Sequence, residues 1–255
     1  MCTIVALLGV HPQFPVVLAA NRDERYARPS AGPQRLPAPA CAVAGRDLEH
    51  GGTWFGINDA GLAVAIADQG TSPSQTPKRS RGLLVLDALR CPSVAAVDAL
   101  LAALAPDQYN PCTLLYAEPG AARLAPVGLR EHRTPRVLAP GLHVMVSGIG
   151  AEHARAREQR VLSALDPAQL ANARPEQLLA ALTGLLRAHD SRPDADDALC
   201  RHGTQAGTVS SFVALLADRP TDSRFWCAVG PPCRTEYLDY SALLPRPLLQ
   251  MEPIP

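Results

Sequence analysis

The chain has 255 residues, 47% of them hydrophobic, which is enough apolar material for a substantial core in one large domain or two small ones. Its 24 basic and 24 acidic residues cancel, and aromatics make up only 4%. That balance argues against a broad nucleic-acid or anionic-membrane surface, and no base-stacking platform is expected. Residues 3–10 are apolar, but the run is short and no basic segment precedes it, so it does not read as a signal peptide. No stretch reads as an integral membrane segment, and the expected location is the cytoplasm. The seven cysteines are scattered, odd in number and without a CxxC pair, which fits neither a disulfide framework nor a zinc site. No two histidines stand four apart. No metal and no cofactor are therefore expected.

In chain order, Cys2 to Val10 reads as a buried strand broken by His11-Pro12. Val16 to Ala20 is a second strand ending at Asn21, and the spacing suits a hairpin. Alternate strand residues face opposite sides, so Arg22 and Asp23 reach one site only if the strand stops there. Pro29 to Pro39 reads as a proline-rich loop, Ala42 to Gly45 as a brief strand, and His50-Gly51-Gly52-Thr53 as a tight turn. Thr53 to Asn58 and Leu62 to Ala67 form a second hairpin. Residues 69–80 read as an exposed loop. Gly82 to Arg90 is helical, and Val94, Val97, Leu101 and Leu104 recur at helix spacing behind a Ser93 cap. Cys112 to Ala117, Arg123 to Pro126 and His143 to Ser147 return to strand character. Ala151 to Leu165 reads as a charged helix with a narrow apolar stripe. Leu178, Leu179, Leu182, Leu185 and Leu186 mark an amphipathic helix opened by Pro175. Residues 190–206 are polar and irregular, and Ser211 to Ala217 and Phe225 to Val229 close the chain as strands. Helices come in blocks, not after each strand, which favours antiparallel sheets with helical layers.

Chemistry points to the N-terminus. A small second residue permits removal of Met1, which would leave Cys2 with a thiol and a free α-amine. The amine then serves as base for its own nucleophile. It titrates at about 7.7–8.0 when unperturbed, so a useful fraction is neutral near pH 7. Asn21-Arg22-Asp23-Glu24 supplies a fixed cation and carboxylates nearby. Gly51, Gly52 and Gly56 lie between strands, so no phosphate-binding fingerprint fits them. His202, near Thr208 and Ser210, reads as a solvated loop histidine. Ser210-Ser211 lacks the glycines of a nucleophile elbow.

These residues resemble a known family. Cys2-Thr3, Ala19-Ala20-Asn21-Arg22-Asp23-Glu24 and Arg28-Pro29 look like the family named for its Asn-Arg-Asp-Glu motif, which includes the transport and Golgi organisation protein 2 group. Gly51 to Gly56, Ser80-Arg81-Gly82 and Gly207 to Ser211 fall where that family has similar segments. The family in turn resembles N-terminal-nucleophile hydrolases of the choloylglycine and penicillin V acylase type. The resemblance implies an α+β fold, a four-layer αββα sandwich of two antiparallel sheets flanked by helices. It spans a single domain over residues 2–243, followed by a proline-rich tail at 244–255.

The resemblance also implies roles. Cys2 would attack an amide or ester carbonyl, Arg22 would hold the thiolate, and Asp23 would bind the α-ammonium group. Asn21, Trp54, Asp68, Ser147 and Thr208 would bind substrate. The acylases place their Arg and Asp three apart, whereas Arg22 and Asp23 are adjacent. Asp68 falls where acylases carry an oxyanion-hole Asn, Gly148 where they carry another Asn, and Val209 where a late Arg is usual. A carboxylate aimed at a developing oxyanion repels it. The implied function is an N-terminal-cysteine hydrolase or acyltransferase acting on a small acylated substrate. The alternative is a non-catalytic binding or trafficking protein, holding haem, lipid or another hydrophobic ligand in the same pocket. No nucleic-acid partner is expected, and no oligomeric state follows from the sequence.

Overall fold

The computed structural model describes residues 2–69, 78–105, 107–128, 134–148, 150–189 and 198–245. Six strands come first: β1 (Cys2–Leu8), β2 (Val16–Arg25), β3 (Ser30–Leu36), β4 (Ala42–Asp47), β5 (Phe55–Asn58) and β6 (Ala63–Asp68). Helices α1 (Arg81–Leu89) and α2 (Val94–Ala102) follow, then β7 (Cys112–Glu118), β8 (Ala121–Val127), β9 (Arg136–Val137) and β10 (Gly141–Val146). A second helical block holds α3 (Ala151–Ala164), α4 (Pro167–Leu170) and α5 (Pro175–Arg187). Strands β11 (Ala206–Leu216), β12 (Arg224–Ala228) and β13 (Leu238–Asp239) end the described fold. Among the described residues, no helix is long and apolar enough to cross a membrane.

The strands make two antiparallel sheets. One has the order β10-β1-β2-β11-β12-β13, the other β3-β4-β5-β6-β7-β8-β9. Because strand side chains alternate, each sheet has two apolar faces to cover. Ile4, Ala6, Leu18 and Phe212 of the first sheet meet Phe55, Ile57, Ala65 and Leu115 of the second between the sheets. The Phe55 and Phe212 rings stack with centroids 3.7 Å apart. On the outer face of the first sheet, Val5, Leu7, Val17 and Val213 pack against Val161, Leu178, Leu182 and Leu186 of the second helical block. On the outer face of the second, Val64, Leu114 and Tyr116 pack against Leu84, Leu89, Val97 and Leu101. The layers are therefore αββα, as expected.

Local chemistry explains the boundaries. Ser93 caps α2, its hydroxyl accepting from the Ala96 N–H at 3.3 Å. Pro175 opens α5 at a position where its missing N–H costs nothing. The expected loop at 29–39 is in fact the edge strand β3. Gly32-Pro33 sits in its register break between Ala31 and Gln34, and a proline at a bulge on an edge strand leaves the ladder intact. The second strand also runs longer than expected, through the whole Asn-Arg-Asp-Glu motif to Arg25. It continues because it pairs on both sides, with β1 and with β11. Strands β9 and β13 and helix α4 have four residues or fewer and leave no periodic signal. Most of the expected loop at 69–80, residues 190–197 of the irregular stretch and most of the tail from 244 fall outside the described residues.

Candidate active site

Register places the motif. Cys2 pairs with Arg22 and Thr3 with Asn21 across β1 and β2. Because β2 continues, Arg22 and Asp23 face opposite sides of the sheet. Cys2 and Arg22 open into a cleft of about 320 Å³, lined also by Glu24, Trp54, Asp68 and Arg81. The Arg22 guanidinium lies over the Trp54 ring, 4.0 Å from its centroid, a cation–π contact that fixes its height in the cleft. Glycine makes room for that ring: a Cβ at Gly45 would come within 2.6 Å of the indole. Arg22 also reaches Ser30 Oγ at 3.4 Å and Glu24 at 3.7 Å.

Asp23 is held from the helical side. Its carboxylate accepts from Thr208 Oγ1 at 2.6 Å and pairs with Arg157 at 3.0 Å. Arg157 is fully buried and also donates to Thr3 Oγ1 at 3.1 Å. A β-bulge in β11 makes this possible. Thr208 pairs with Asp23 and Ser210 with Arg22, leaving Val209 as the extra residue. Asn21 is also fully buried on the helical side, where its amide donates to the Leu186 and Leu199 carbonyls at 2.8 Å each.

The nucleophile's nitrogen has its own partner. The Cys2 N–H donates to Ser147 Oγ, and the Ser147 N–H returns a bond to the Cys2 carbonyl at 2.9 Å. The next N–H, of Gly148, binds the Asp68 carbonyl at 2.8 Å. Two consecutive amides thus set Cys2 and Asp68 side by side. The Asp68 carboxylate is paired with Arg81, which also donates to the Pro111 carbonyl at 3.2 Å. Burial pushes the Cys2 thiol up from its ordinary value, and the Asp23 charge adds to the rise. The charge of the chain's N-terminal ammonium, then Arg22 and a hydrogen bond from the Asp23 backbone N–H, pull it down without reversing it.

The transport and Golgi organisation 2 family model matches residues 1–223. The chain belongs to this family. Its transport and Golgi organization protein 2 homologs in Bos taurus and Homo sapiens are each 30% identical to it, over 153 and 157 residues respectively. Each match covers 56% of this chain and 55% of the relative, so the chain spans about half the length of the curated relatives it matches. Solved structures share the fold. A Caenorhabditis elegans ortholog of N-acylethanolamine-hydrolyzing acid amidase aligns with a TM-score of 0.51 and 13% identity, over 84% of this chain and 92% of that one. A conjugated bile acid hydrolase variant from Clostridium perfringens aligns with a TM-score of 0.54 and 11% identity, over 94% and 93%.

Within this transport and Golgi organisation 2 family member, the site residues expected from sequence divide into two groups. Cys2, Arg22, Trp54 and Asp68 share the cleft, and Asp23 reaches its edge. Asn21, Ser147 and Thr208 have no solvent exposure. Their side chains brace the helical layer, the Cys2 nitrogen and Asp23 respectively. Arg157 and Arg81 were not foreseen. Arg157 carries a signal: with Ala154 and Val161 it falls on the apolar stripe of α3, where an arginine needs a buried partner. Arg81, opening α1, falls in the Ser80-Arg81-Gly82 segment that the family resemblance marks, but nothing in the sequence pairs it with Asp68. His202 is not simply solvated. Its Nε2 lies 3.1 Å from Cys233 Sγ and 3.6 Å from Cys200 Sγ, with His189 alongside. Burial and the neighbouring Arg234 and His189 hold its imidazole below the ordinary value, against the pull of Asp23.

Proposed function

We propose that this family member is an N-terminal-cysteine hydrolase or acyltransferase acting on an amide or ester of a small, polar acylated substrate. The observation that carries this reading is Cys2 at the first position of β1, opening with Arg22 into one cleft. Removal of Met1 would give Cys2 an α-amine, positioned by Ser147 Oγ. The neutral amine takes the thiol proton as sulfur bonds to the carbonyl carbon. The proton then passes to the leaving amine or alcohol as its bond to carbon breaks, leaving a thioester on Cys2. Water or an acceptor nucleophile attacks the thioester and restores the thiol.

Arg22 faces the thiolate and favours it. Asp23 serves the thiol through its backbone N–H, while its carboxylate, on the helical side of the sheet, is held by Thr208 and Arg157. Asp68 does not confront an oxyanion alone, because Arg81 neutralises it in the same cleft. The lining also bears on the ligand. Arg22, Asp23, Glu24, Arg28, Asp47, Asp68 and Arg81 make it strongly charged. That suits a polar substrate and weighs against haem or a lipid chain in this cleft, since desolvating those groups against an apolar ligand is costly.

The test is rapid-quench and steady-state hydrolysis of an activated acyl ester by the parent and by Cys2→Ala. A burst of one equivalent, an acyl mass on Cys2, and loss of both in Cys2→Ala are expected. Identical behaviour of the two proteins, with no acylated Cys2, overturns the hydrolase reading in favour of binding.

A further inference from the structure

Four soft ligands from three segments converge beside β11. Cys200 and His202 lie on the segment leading into that strand, His189 follows the end of α5, and Cys233 sits in the turn after β12. The backbone holds these segments together independently of the side chains. The Cys200 N–H donates to the Ala188 carbonyl at 3.0 Å, and His202 bridges to Gly207. Arg234 and Thr235 N–H groups close the turn on the Pro231 carbonyl at 3.0 and 2.9 Å. One ligand atom each from His189, His202 and Cys233 lie within 4.8 Å of one another. The Cys200 thiol lies outside this group of three, 3.6 Å from His202 Nε2 and beside Cys233, and would have to move towards His189 to complete it.

We infer that Cys200, Cys233, His202 and His189 form a tetrahedral binding site for a thiophilic divalent cation, zinc foremost. Two features of the geometry support it. A neutral imidazole nitrogen has a single in-plane lone pair and accepts one hydrogen bond, yet two sulfurs approach His202 Nε2. A cation satisfies all three atoms at once. Zn–S of about 2.3 Å and Zn–N of about 2.0–2.1 Å at a tetrahedral angle put sulfur and nitrogen about 3.6 Å apart, which Cys200 matches at 3.6 Å, while Cys233 at 3.1 Å would have to move outwards on binding. Binding replaces each S–H bond with S–Zn, so two protons leave and the two thiolates balance the dication. Thiolate with imidazole selects zinc over magnesium or calcium.

The ion would tie α5, the 198–207 segment and the 231–235 turn into one unit. That segment carries the Arg201 N–H, which donates to Thr208 Oγ1 at 2.9 Å, and Thr208 in turn holds Asp23. The site is distinct from the Cys2 cleft and is linked to it through this pair of hydrogen bonds.

The experiment titrates the reduced, metal-free full chain with Co²⁺ as a spectroscopic probe, then displaces it with Zn²⁺. One equivalent should give tetrahedral d–d bands with a thiolate-to-cobalt charge-transfer band, and zinc should bleach both. The bands should vanish in Cys200→Ser/Cys233→Ser and persist in Cys91→Ser. His189→Gln changes an exposed residue and spares the fold. It should weaken zinc at least as much as the about 10–100-fold that outer partners of such ligands cost. No thiolate band in the reduced parent, a band that survives the double substitution, or unchanged zinc affinity in His189→Gln would each overturn the site.

Discussion

At the scale of the residue, Cys2 sets the terms. Its thiol is desolvated and sits above its ordinary value despite Arg22, so with Met1 in place it stays protonated at neutral pH. Removing Met1 puts an ammonium on the same residue and an amine base within reach. The rate of Cys2 alkylation by iodoacetamide should therefore inflect above the ordinary thiol value of about 8.5 when Met1 is retained, and at lower pH once it is gone. Peptide mapping of both forms across pH measures this, and coincident profiles would mean that the amine does not act on the thiol. The Asp68–Arg81 pair yields a second expectation at this scale. Arg81→Ala removes the cation paired with the carboxylate beside Cys2 and should slow acylation by up to about 10²–10³. Asp68→Asn should raise it. Stopped-flow acylation of both variants decides the matter, and equal rates would remove the pair from the reaction.

At the scale of the element, α3 is fastened to the sheet by one buried arginine. Arg157 joins Asp23 and Thr3, and removing one partner of a buried pair leaves the other charge uncompensated. Arg157→Ala should therefore cost about 3–5 kcal/mol, read as a lower urea midpoint at unchanged m-value. A loss below about 1 kcal/mol would mean that the pair is not a fastening. The same element shows what sequence conveys. Its boundaries and stripe were legible because they are periodic, but the meaning of Arg157 depends on Asp23, 134 residues away. The second strand was legible as far as Ala20 through its apolar run. Its continuation through Asn21 to Arg25 was not, because a polar stretch becomes strand only when neighbours on both sides supply hydrogen bonds. That Cys2, Arg22 and Trp54 share a cleft was legible because motifs mark them. The contacts of Ser147 and Thr208 were not legible, since burial and the bulge, not residue type, decide which way they point.

At the scale of the whole molecule, the core is closed in a way that makes the fold sensitive to alkali. Burial pushes the Cys112 and Cys227 thiols from 9.0 up to about 12. Tyr116 and Tyr237 are raised by burial as well. The folded chain then holds protons that the unfolded chain releases. Stability from these thiols is fully present below about 9 and falls as pH rises towards about 12, by about 1.4 kcal/mol per pH unit for each. Urea midpoints measured from pH 8 to 11 should fall progressively, and Cys227→Ala should flatten the slope. A flat profile in the parent would show that these thiols titrate alike in both states.

The bulge at Val209 has a consequence for length as distinct from composition. Counting alternately back from Phe212 puts Thr208 on the cleft side; the extra residue shifts the phase and turns it towards Asp23. Excising Val209 would leave Thr208 opposite Asp23 and Ser210 opposite Arg22, now in an unbroken ladder. Excising any residue between 210 and 216 would instead change the parity of all that precedes it and turn Thr208 away from Asp23. Along this strand, then, a one-residue gap is tolerable at the bulge and disruptive elsewhere, so homologous chains that differ in length here should differ at that point.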